Sequence, residues 1–147
     1  MRSSGFKIAI AGGLLLGSVT VASAQLANKV GVAVSGLRND NGVVRCGLYA
    51  SANGFRQPGQ EFRGAVARIN GQQATCMFSN LPAGTYAVAV FHAEKNETQI
   101  KTGMFGKPEQ GYGFSRNPSS GMGPPDFSSA AFTYNGGSQT LPVTLHY

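Results

Sequence analysis

Short segments in which apolar residues alternate with small or polar ones set the strongest limit on how this chain can fold. The clearest is residues 28–36, where valine occupies every second position from Val30 to Val34. A period of two is typical of a β-strand with one buried face. No window carries a convincing apolar stripe with the 3.6-residue period of a helix. The pattern therefore favours an all-β protein.

Seven segments of this kind occur, separated by turn-forming sequences such as Asn39-Asp40-Asn41-Gly42 and Asn70-Gly71. They lie at 28–36, 43–50, 65–69, 73–79, 85–94, 130–134 and 139–146, and the last two are predicted to form a hairpin around 135–137. Seven short strands predict an antiparallel Ig-like β-sandwich. A small outer-membrane barrel is the rival architecture because the sequence ends in an alternating strand, but most segments are shorter than the about 9–11 residues that a barrel strand needs.

Residues 1–24 have the pattern of a cleaved signal peptide. A basic start precedes an uncharged run at 8–21, and Ala22-Ser23-Ala24 provides the small-x-small cleavage sequence. The run is too short to span a bilayer, which takes about 18 or more apolar residues. We expect cleavage after Ala24, a single mature domain at 25–147 in the periplasm or outside the cell, and no transmembrane segment after cleavage.

The charge distribution argues against a nucleic-acid partner. The net charge is +6, from 12 Lys and Arg against 6 Asp and Glu. Two of the cations, Arg2 and Lys7, belong to the predicted leader, and the others are spread without a basic run. Nucleic-acid binding needs a clustered basic face. The expected partner is therefore an envelope component or another protein.

The two cysteines predict a disulfide. Cys46 lies in the second predicted strand and Cys76 in the fourth. Two cysteines in an exported domain usually pair, and this pair would bridge either neighbouring strands or the two sheets. Free buried thiols and a reactive or metal-binding pair are the alternatives, but there is no CxxC motif and no histidine nearby in the sequence.

A long Gly- and Pro-rich loop is predicted at 103–129. Six of the 21 glycines and four of the seven prolines fall within 103–125. A structureless segment of this length is uncommon in a compact domain unless it is functional or disordered. One interpretation is a preformed ligand or partner surface, whose candidate binding residues are Tyr112, Phe114, Arg116 and Asn117. The other is a packed Ω-loop that closes one end of the sandwich.

His92 and Glu94 are further candidate binding residues. They stand two positions apart at the end of the fifth strand, so their side chains can share a face. Together with Glu97 or Asp126 they are the candidate ligands for a transition metal; a hydrogen-bonded structural histidine is the alternative that we favour. No nucleophile-elbow motif or carboxylate pair supports a hydrolase. We expect no enzymatic activity and no cofactor.

Two stretches resemble known families. The sequence from Phe78 to Val90, FSNLPAGTYAVAV, is similar to the strand–turn–strand "F-x-x-L-P-x-G-x-Y-x-V" of transthyretin-like (prealbumin-like) sandwich domains. Phe91-His92, the segment GYGFSRN at 111–117 and GPPDF at 123–127 resemble, in order and spacing, the bacterial "domain of unknown function 2141" family of exported proteins. This resemblance implies a prealbumin-like exported sandwich with no established activity.

The segment after His92 departs from that family's pattern. Relatives commonly carry an Asp/Asn-rich loop there that is similar to a calcium loop, whereas Ala93, Lys95 and Lys101 stand at the corresponding positions of this chain. A hard cation takes about six to eight oxygen ligands. We therefore expect no calcium site here; a lysine that pairs with a neighbouring glutamate would replace the cation.

Taken together, these features predict an exported, non-enzymatic β-sandwich that serves as a binding or structural module of the cell envelope and acts through the 103–129 loop. The alternative is a small-ligand or metal-binding protein that uses His92, Glu94 and the adjacent loop. A hydrolase is less favoured.

Overall fold

The computed structural model describes residues 28–101, 108–119 and 123–147. The predicted signal peptide at 1–24 lies outside these residues. The elements are, in chain order, β1 (Lys29–Ser35), β2 (Val43–Tyr49), β3 (Arg63–Arg68), β4 (Ala74–Ser79), β5 (Gly84–Ala93), β6 (Tyr112–Phe114), α1 (Phe127–Ala130), β7 (Phe132–Tyr134) and β8 (Ser138–Thr144). No helix in these ranges is long and apolar enough to cross a membrane.

The strands form two facing sheets. The smaller sheet has the order β4-β1-β8, and the larger has the order β3-β2-β5-β6, with β7 paired to the first residues of β5. Strand alternation directs one face of each sheet into a shared core, whose fully buried members include Val30, Val32, Val44, Leu48, Val88 and Val143. The predicted all-β sandwich is confirmed, and the described residues contain eight strands rather than the seven predicted.

The last two strands do not form the predicted hairpin. β7 pairs with β5 in the larger sheet, whereas β8 lies beside β1 in the smaller sheet and runs parallel to it. The turn at 135–137 crosses between the sheets because it is fastened to the start of β1. The amide of Lys29 donates to the carbonyl of Gly137 at 3.0 Å, and the amide of Gly137 donates to Oδ1 of Asn28 at 2.9 Å.

The predicted 103–129 loop contains regular structure. β6 pairs antiparallel with β5, and α1 begins after Asp126, whose carboxylate accepts the amide of Ser129 at 2.9 Å. β6 escapes a sequence-based prediction because it has three residues and a central glycine. That glycine is required because a Cβ on Gly113 would lie 2.7 Å from the carbonyl oxygen of Thr144.

The predicted pairing of the cysteines is confirmed. Cys46 of β2 and Cys76 of β4 form a disulfide with a Cα–Cα distance of 6.5 Å, and both residues are buried. Since β2 and β4 belong to different sheets, the bridge joins the two layers through the core. Of the two geometries that the sequence left open, the one between the sheets is correct.

Candidate functional site

The face of the larger sheet that points away from the core carries a row of residues with small side chains. Gly47 of β2 lies opposite Gly64 of β3 on one side and opposite Ala89 of β5 on the other. Directly opposed residues of antiparallel strands project from the same face. These three residues therefore form a recessed floor across the middle of the sheet.

Larger side chains border this floor. In the next row Arg45 lies between Val66 of β3 and Phe91 of β5, and Phe91 lies opposite Tyr112 of β6. Phe114 of β6 lies opposite the alanine of the floor and closes that end of the row. The aromatic residues of the borders lie on β5 and β6, which are separated in the sequence by the segment after β5, and the pairing of these two strands brings their side chains together.

A cleft of about 900 Å³ lies above the floor. Three segments outside the strands contribute to its walls: the β2–β3 connection with Pro58, the segment after β5 with Ile100, and the region around β6 with Pro108 and Pro124. Small-molecule sites typically have volumes of about 300–1,000 Å³ and mostly apolar walls with a few polar groups. The charged residues among the described walls are Arg45, Arg56 and Glu61.

An aromatic cluster fixes one end of the cleft. The ring of Phe55 packs edge-on against Tyr49 and Phe127, with centroid distances of 5.3 and 5.7 Å, and lies 6.2 Å from the ring of Phe114. Edge-to-face aromatic pairs add about 0.5–1.5 kcal/mol beyond the burial of their area. The cluster therefore holds both the β2–β3 connection and α1 against the sheet.

A buried serine fixes the chain directly after β6. The hydroxyl of Ser115 donates to the carbonyl of Ala130 at 2.5 Å and accepts the amide of Val88 at 2.9 Å. Ser115 is fully buried, so both bonds are shielded from water and the position of the preceding Phe114 is well defined. The sequence gives no signal for this serine beyond its place in the GYGFS motif.

The wall formed by 95–101 is held by Glu97 and by the guanidinium of Arg45. Nε of Arg45 donates to the carbonyl of Glu97 at 2.7 Å. The Glu97 carboxylate accepts the amide of Lys95 at 2.6 Å and the side-chain amide of Gln110 at 3.1 Å, while Gln110 accepts the amide of Lys101 at 2.8 Å. Although partial burial acts to raise it, these hydrogen bonds keep the pKa of Glu97 below its ordinary value.

His92 lies on the opposite, core-facing side of β5. Its ring is fully buried, with Nε2 2.7 Å from the carbonyl oxygen of Asn41 and Nδ1 2.7 Å from the hydroxyl of Tyr147. A carbonyl can only accept, so Nε2 carries a proton, and in the neutral ring Nδ1 accepts the hydroxyl proton of Tyr147. Burial raises the pKa of Tyr147, which keeps that hydroxyl protonated.

Glu94 completes this network through an arginine that the sequence did not indicate. Its carboxylate makes a bidentate pair with the guanidinium of Arg38, in which Nη2 lies 2.9 Å from Oε2. The same guanidinium lies 4.7 Å from the ring centroid of Tyr147, and Oε1 of Glu94 lies 3.6 Å from Nδ1 of His92. The hydrogen bond from Arg38 holds the pKa of the Glu94 carboxyl below its ordinary value.

The arrangement around His92 is that of a hydrogen-bonded structural histidine. Both ring nitrogens already have partners, and Glu97 is occupied in the wall of the cleft. Across the ranges that the structure describes, no three His, Cys, Asp or Glu side chains lie close enough together to hold a metal ion. We predicted that a lysine pairs with a neighbouring glutamate in place of a cation. Glu94 instead pairs with Arg38.

Residues 32–142 match the family model described as "Uncharacterized protein conserved in bacteria", the domain of unknown function 2141. The chain belongs to this family. The match spans most of both sheets and includes every described residue that lines the cleft. No curated protein and no solved structure shows significant similarity to the chain. The resemblance to transthyretin-like domains stays a prediction.

The candidate residues of this member of the domain of unknown function 2141 family fall into separate places. Tyr112 and Phe114 line the cleft. His92 and Glu94 lie near each other, as their spacing predicted, but in the network with Tyr147. The structure therefore does not bring the four residues together in one site.

Arg116 and Asn117 hold the chain after β6 instead of lining the cleft. Arg116 is exposed and its guanidinium donates to the carbonyl of Ala131 at 3.3 Å. The Asn117 side chain donates to the carbonyl of Pro142 at 3.3 Å and accepts the amide of Thr144 at 2.9 Å. Both residues adopt left-handed backbone conformations, which a sequence motif does not reveal.

Sequence reasoning missed the floor of the cleft and Arg45. The available signal was a small residue at an outward position within an otherwise apolar strand, as at Gly47 and Ala89. That signal gains meaning only when the strand register places the two residues side by side.

Proposed function

We propose that this protein is an exported, non-enzymatic binding module of the bacterial cell envelope, and that its ligand site is the cleft on the outer face of the larger sheet. The observation that carries the proposal is the row Gly64, Gly47 and Ala89, a floor without bulky side chains in the middle of a sheet bordered by aromatic residues. The described parts of 103–129 contribute Tyr112 and Phe114 to the borders, in keeping with a role for that segment in binding.

The two glycines of the floor differ in how closely the surrounding atoms approach them. A Cβ on Gly64 would meet only the carbonyl oxygen of Cys46, at 3.9 Å, so the fold has room for a side chain there. A Cβ on Gly47 would lie 3.1 Å from the ring of Tyr49. The open space above Gly64 supports a ligand site because nothing in the described fold requires glycine at that position.

The chemistry of the walls supports binding rather than catalysis. The titratable side chains among the described wall residues are two arginines, one glutamate and two tyrosines, and the cysteine among them is in the disulfide. A nucleophile–base pair or two facing carboxylates would be expected for a hydrolase. Export is supported by the signal-like sequence at 1–24 and by a structural disulfide, which persists in oxidising compartments.

A neutral fluorescent probe tests the binding site. Phenylnaphthylamine, an uncharged amine that joins a naphthalene to a phenyl ring, is titrated into the folded mature protein and its fluorescence is followed to saturation. We expect saturable binding to the wild type and a loss of about tenfold or more in affinity for Gly64→Leu, because the leucine side chain occupies the floor; tenfold corresponds to about 1.4 kcal/mol.

Thr75→Leu is the matched control. Thr75 is exposed on β4 of the smaller sheet, so this variant adds a similar apolar side chain far from the cleft. The proposal requires Thr75→Leu to bind the probe as the wild type does. Absence of saturable binding to folded wild-type protein, or equal affinities of the wild type and Gly64→Leu, would remove the cleft as the site.

A further inference from the structure

We propose that the natural ligand of the cleft is a small amphipathic organic anion: a flat apolar body that covers the floor and an acidic group that pairs with Arg45. This inference rests on the proposed function of the cleft and adds the chemical class of its ligand. It depends on the burial and hydrogen bonding of Arg45 and on the positions of the acidic residues in the chain.

Arg45 is a half-buried cation held in a fixed position. It projects from the outer face of β2 between Val66 and Phe91, and its Nε–H bond to the carbonyl of Glu97 orients the guanidinium. A guanidinium has five N–H donors, and within the described residues only the one on Nε has a protein partner. The two terminal nitrogens are the groups that bind carboxylates, sulfonates and phosphates in a bidentate manner.

No acidic side chain of the protein neutralises this cation. All six Asp and Glu residues of the sequence lie within the described ranges. Of these, Glu94 pairs with Arg38, and no carboxylate lies within ion-pair distance of Arg45 among the described residues. A partly desolvated charge without a counter-ion is costly, so an acidic group on a ligand would improve its environment.

The other charged groups of the walls sit on the β2–β3 connection. Arg56 lies over the ring of Phe55, with a distance of 5.8 Å to the centroid. Burial is the main cause of the raised pKa of Tyr49, the negative charge of Glu61 adds to it and the positive charge of Arg56 opposes it, which places these two opposite charges together on the Tyr49 side of the floor. The positive end of the cleft is thus the end that carries Arg45.

The shape of the floor defines the body of the ligand. Gly47, Gly64 and Ala89 present backbone and one methyl group, a surface without protruding side chains that matches a flat ring or a thin chain. Phe91, Tyr112 and Phe114 offer aromatic faces and edges at the borders. Because polar side chains are few, a sugar with many hydroxyl groups would leave most of its hydrogen bonds unmade.

Two probes that share one ring system test the anion preference. Anilinonaphthalene sulfonate has the rings of phenylnaphthylamine with an added sulfonate, so the ratio of the two affinities isolates the contribution of the charge. We expect the wild type to bind the sulfonate about tenfold more tightly than the neutral probe, and this preference to decrease as sodium chloride is raised.

Substitutions of individual arginines show which positive charge causes the preference for the sulfonate. Arg45→Gln is expected to remove the preference for the sulfonate while the neutral probe still binds, and Arg45→Lys, which keeps a positive charge, to retain part of it. Arg56→Asn is compared with Arg116→Asn, because both arginines are exposed and left-handed, with φ of 67° and 66°, and only Arg56 lines the cleft. We expect Arg116→Asn to leave the ratio of the two affinities unchanged and Arg56→Asn to reduce the preference by less than Arg45→Gln.

The outcomes separate the two proposals. Equal affinity of the wild type for the two probes, or equal losses of both probes in Arg45→Gln, overturns the anionic ligand and leaves the cleft as a binding site for neutral molecules. Failure of both probes to bind overturns the cleft itself. If Arg45→Gln does not fold, the salt dependence of the wild type decides the question, since an affinity for the sulfonate that does not change with salt contradicts the inference.

Discussion

The hydroxyl of Tyr147 lies 2.7 Å from Nδ1 of His92, and this bond ties the segment after β8 to the end of β5. The same hydroxyl accepts the backbone amide of Arg38 at 3.2 Å, while the ring of Tyr147 lies beneath the guanidinium of that residue. A buried imidazole, a tyrosine and an arginine–glutamate pair thus share one network, which lies on the opposite side of β5 from the cleft. We therefore treat His92 as a stabilising residue, and the network makes specific predictions for stability.

Tyr147→Phe is expected to destabilise the protein by about 1–3 kcal/mol, because it leaves Nδ1 of the buried His92 without a partner. The measurement is the free energy of unfolding from urea denaturation. Tyr112→Phe is the matched control because Tyr112 is half-buried and its hydroxyl makes no hydrogen bond within the described residues; its expected change is within about 0.5 kcal/mol. Equal changes in both variants would show that the bond to His92 contributes nothing.

The pairing of Glu94 with Arg38 predicts that the protein loses stability at acid pH. The hydrogen bond from Arg38 holds its folded-state pKa below the ordinary value of 4.5. A carboxyl with a depressed pKa contributes stability that is complete above its unfolded-state pKa and is lost as the pH falls through the folded-state value. Glu94→Gln is therefore expected to lower the urea midpoint at neutral pH and to flatten its decrease below about pH 4.5.

Arg38→Gln provides the partner test for the same interaction. It should reproduce the flattening, and the double variant should lose less stability than the sum of the two single losses, which corresponds to a favourable coupling energy between the residues. A double variant whose destabilisation equals that sum would mean that the two side chains do not interact energetically.

The disulfide is expected to account for a large share of the stability. A bridge between cysteines 30 residues apart contributes about 3–4 kcal/mol in the chain-entropy description. The Cys46→Ala/Cys76→Ala double variant should lose that amount in urea denaturation, and the wild type should lose a similar amount in a reducing agent. If reduction leaves the urea midpoint unchanged, the bridge is not closed in solution.

The proposed export of the protein makes a prediction about the mature chain. Expressed with its first 24 residues in a bacterial host that has a periplasm, the protein should be recovered from the periplasmic fraction or the medium, and intact-mass measurement should give a chain that begins at Gln25. Ala24→Asp places a charge at the position where the signal peptidase requires a small residue, so it should leave the leader attached. Cleavage of both proteins at the same site would contradict the predicted recognition sequence.

Local patterns accounted for most of the fold but for little of the site. The valines of β1 and the Asn-rich turn after it predict a strand and its end because one periodicity and one turn chemistry decide them. The cleft has no comparable local signal: Gly47, Gly64 and Ala89 become one floor only through the register of three strands. Similarly, the strand pattern around 135–137 does not reveal that the chain changes sheets there.

Gly113 links the fold to the cleft. A Cβ on this residue of β6 would lie 2.7 Å from the carbonyl oxygen of Thr144 and 2.8 Å from Cγ1 of Val143, so Gly113→Ala forces β6 away from β8. We expect a destabilisation of about 1–3 kcal/mol, typical of overpacking, together with weaker binding of phenylnaphthylamine because Tyr112 and Phe114 move with the strand. Gly64→Ala, whose added methyl group meets open space, should keep the stability of the wild type to within about 0.5 kcal/mol. A Gly113→Ala protein that unfolds more readily but binds the probe normally would show that β6 is a structural strand and not a wall of the site.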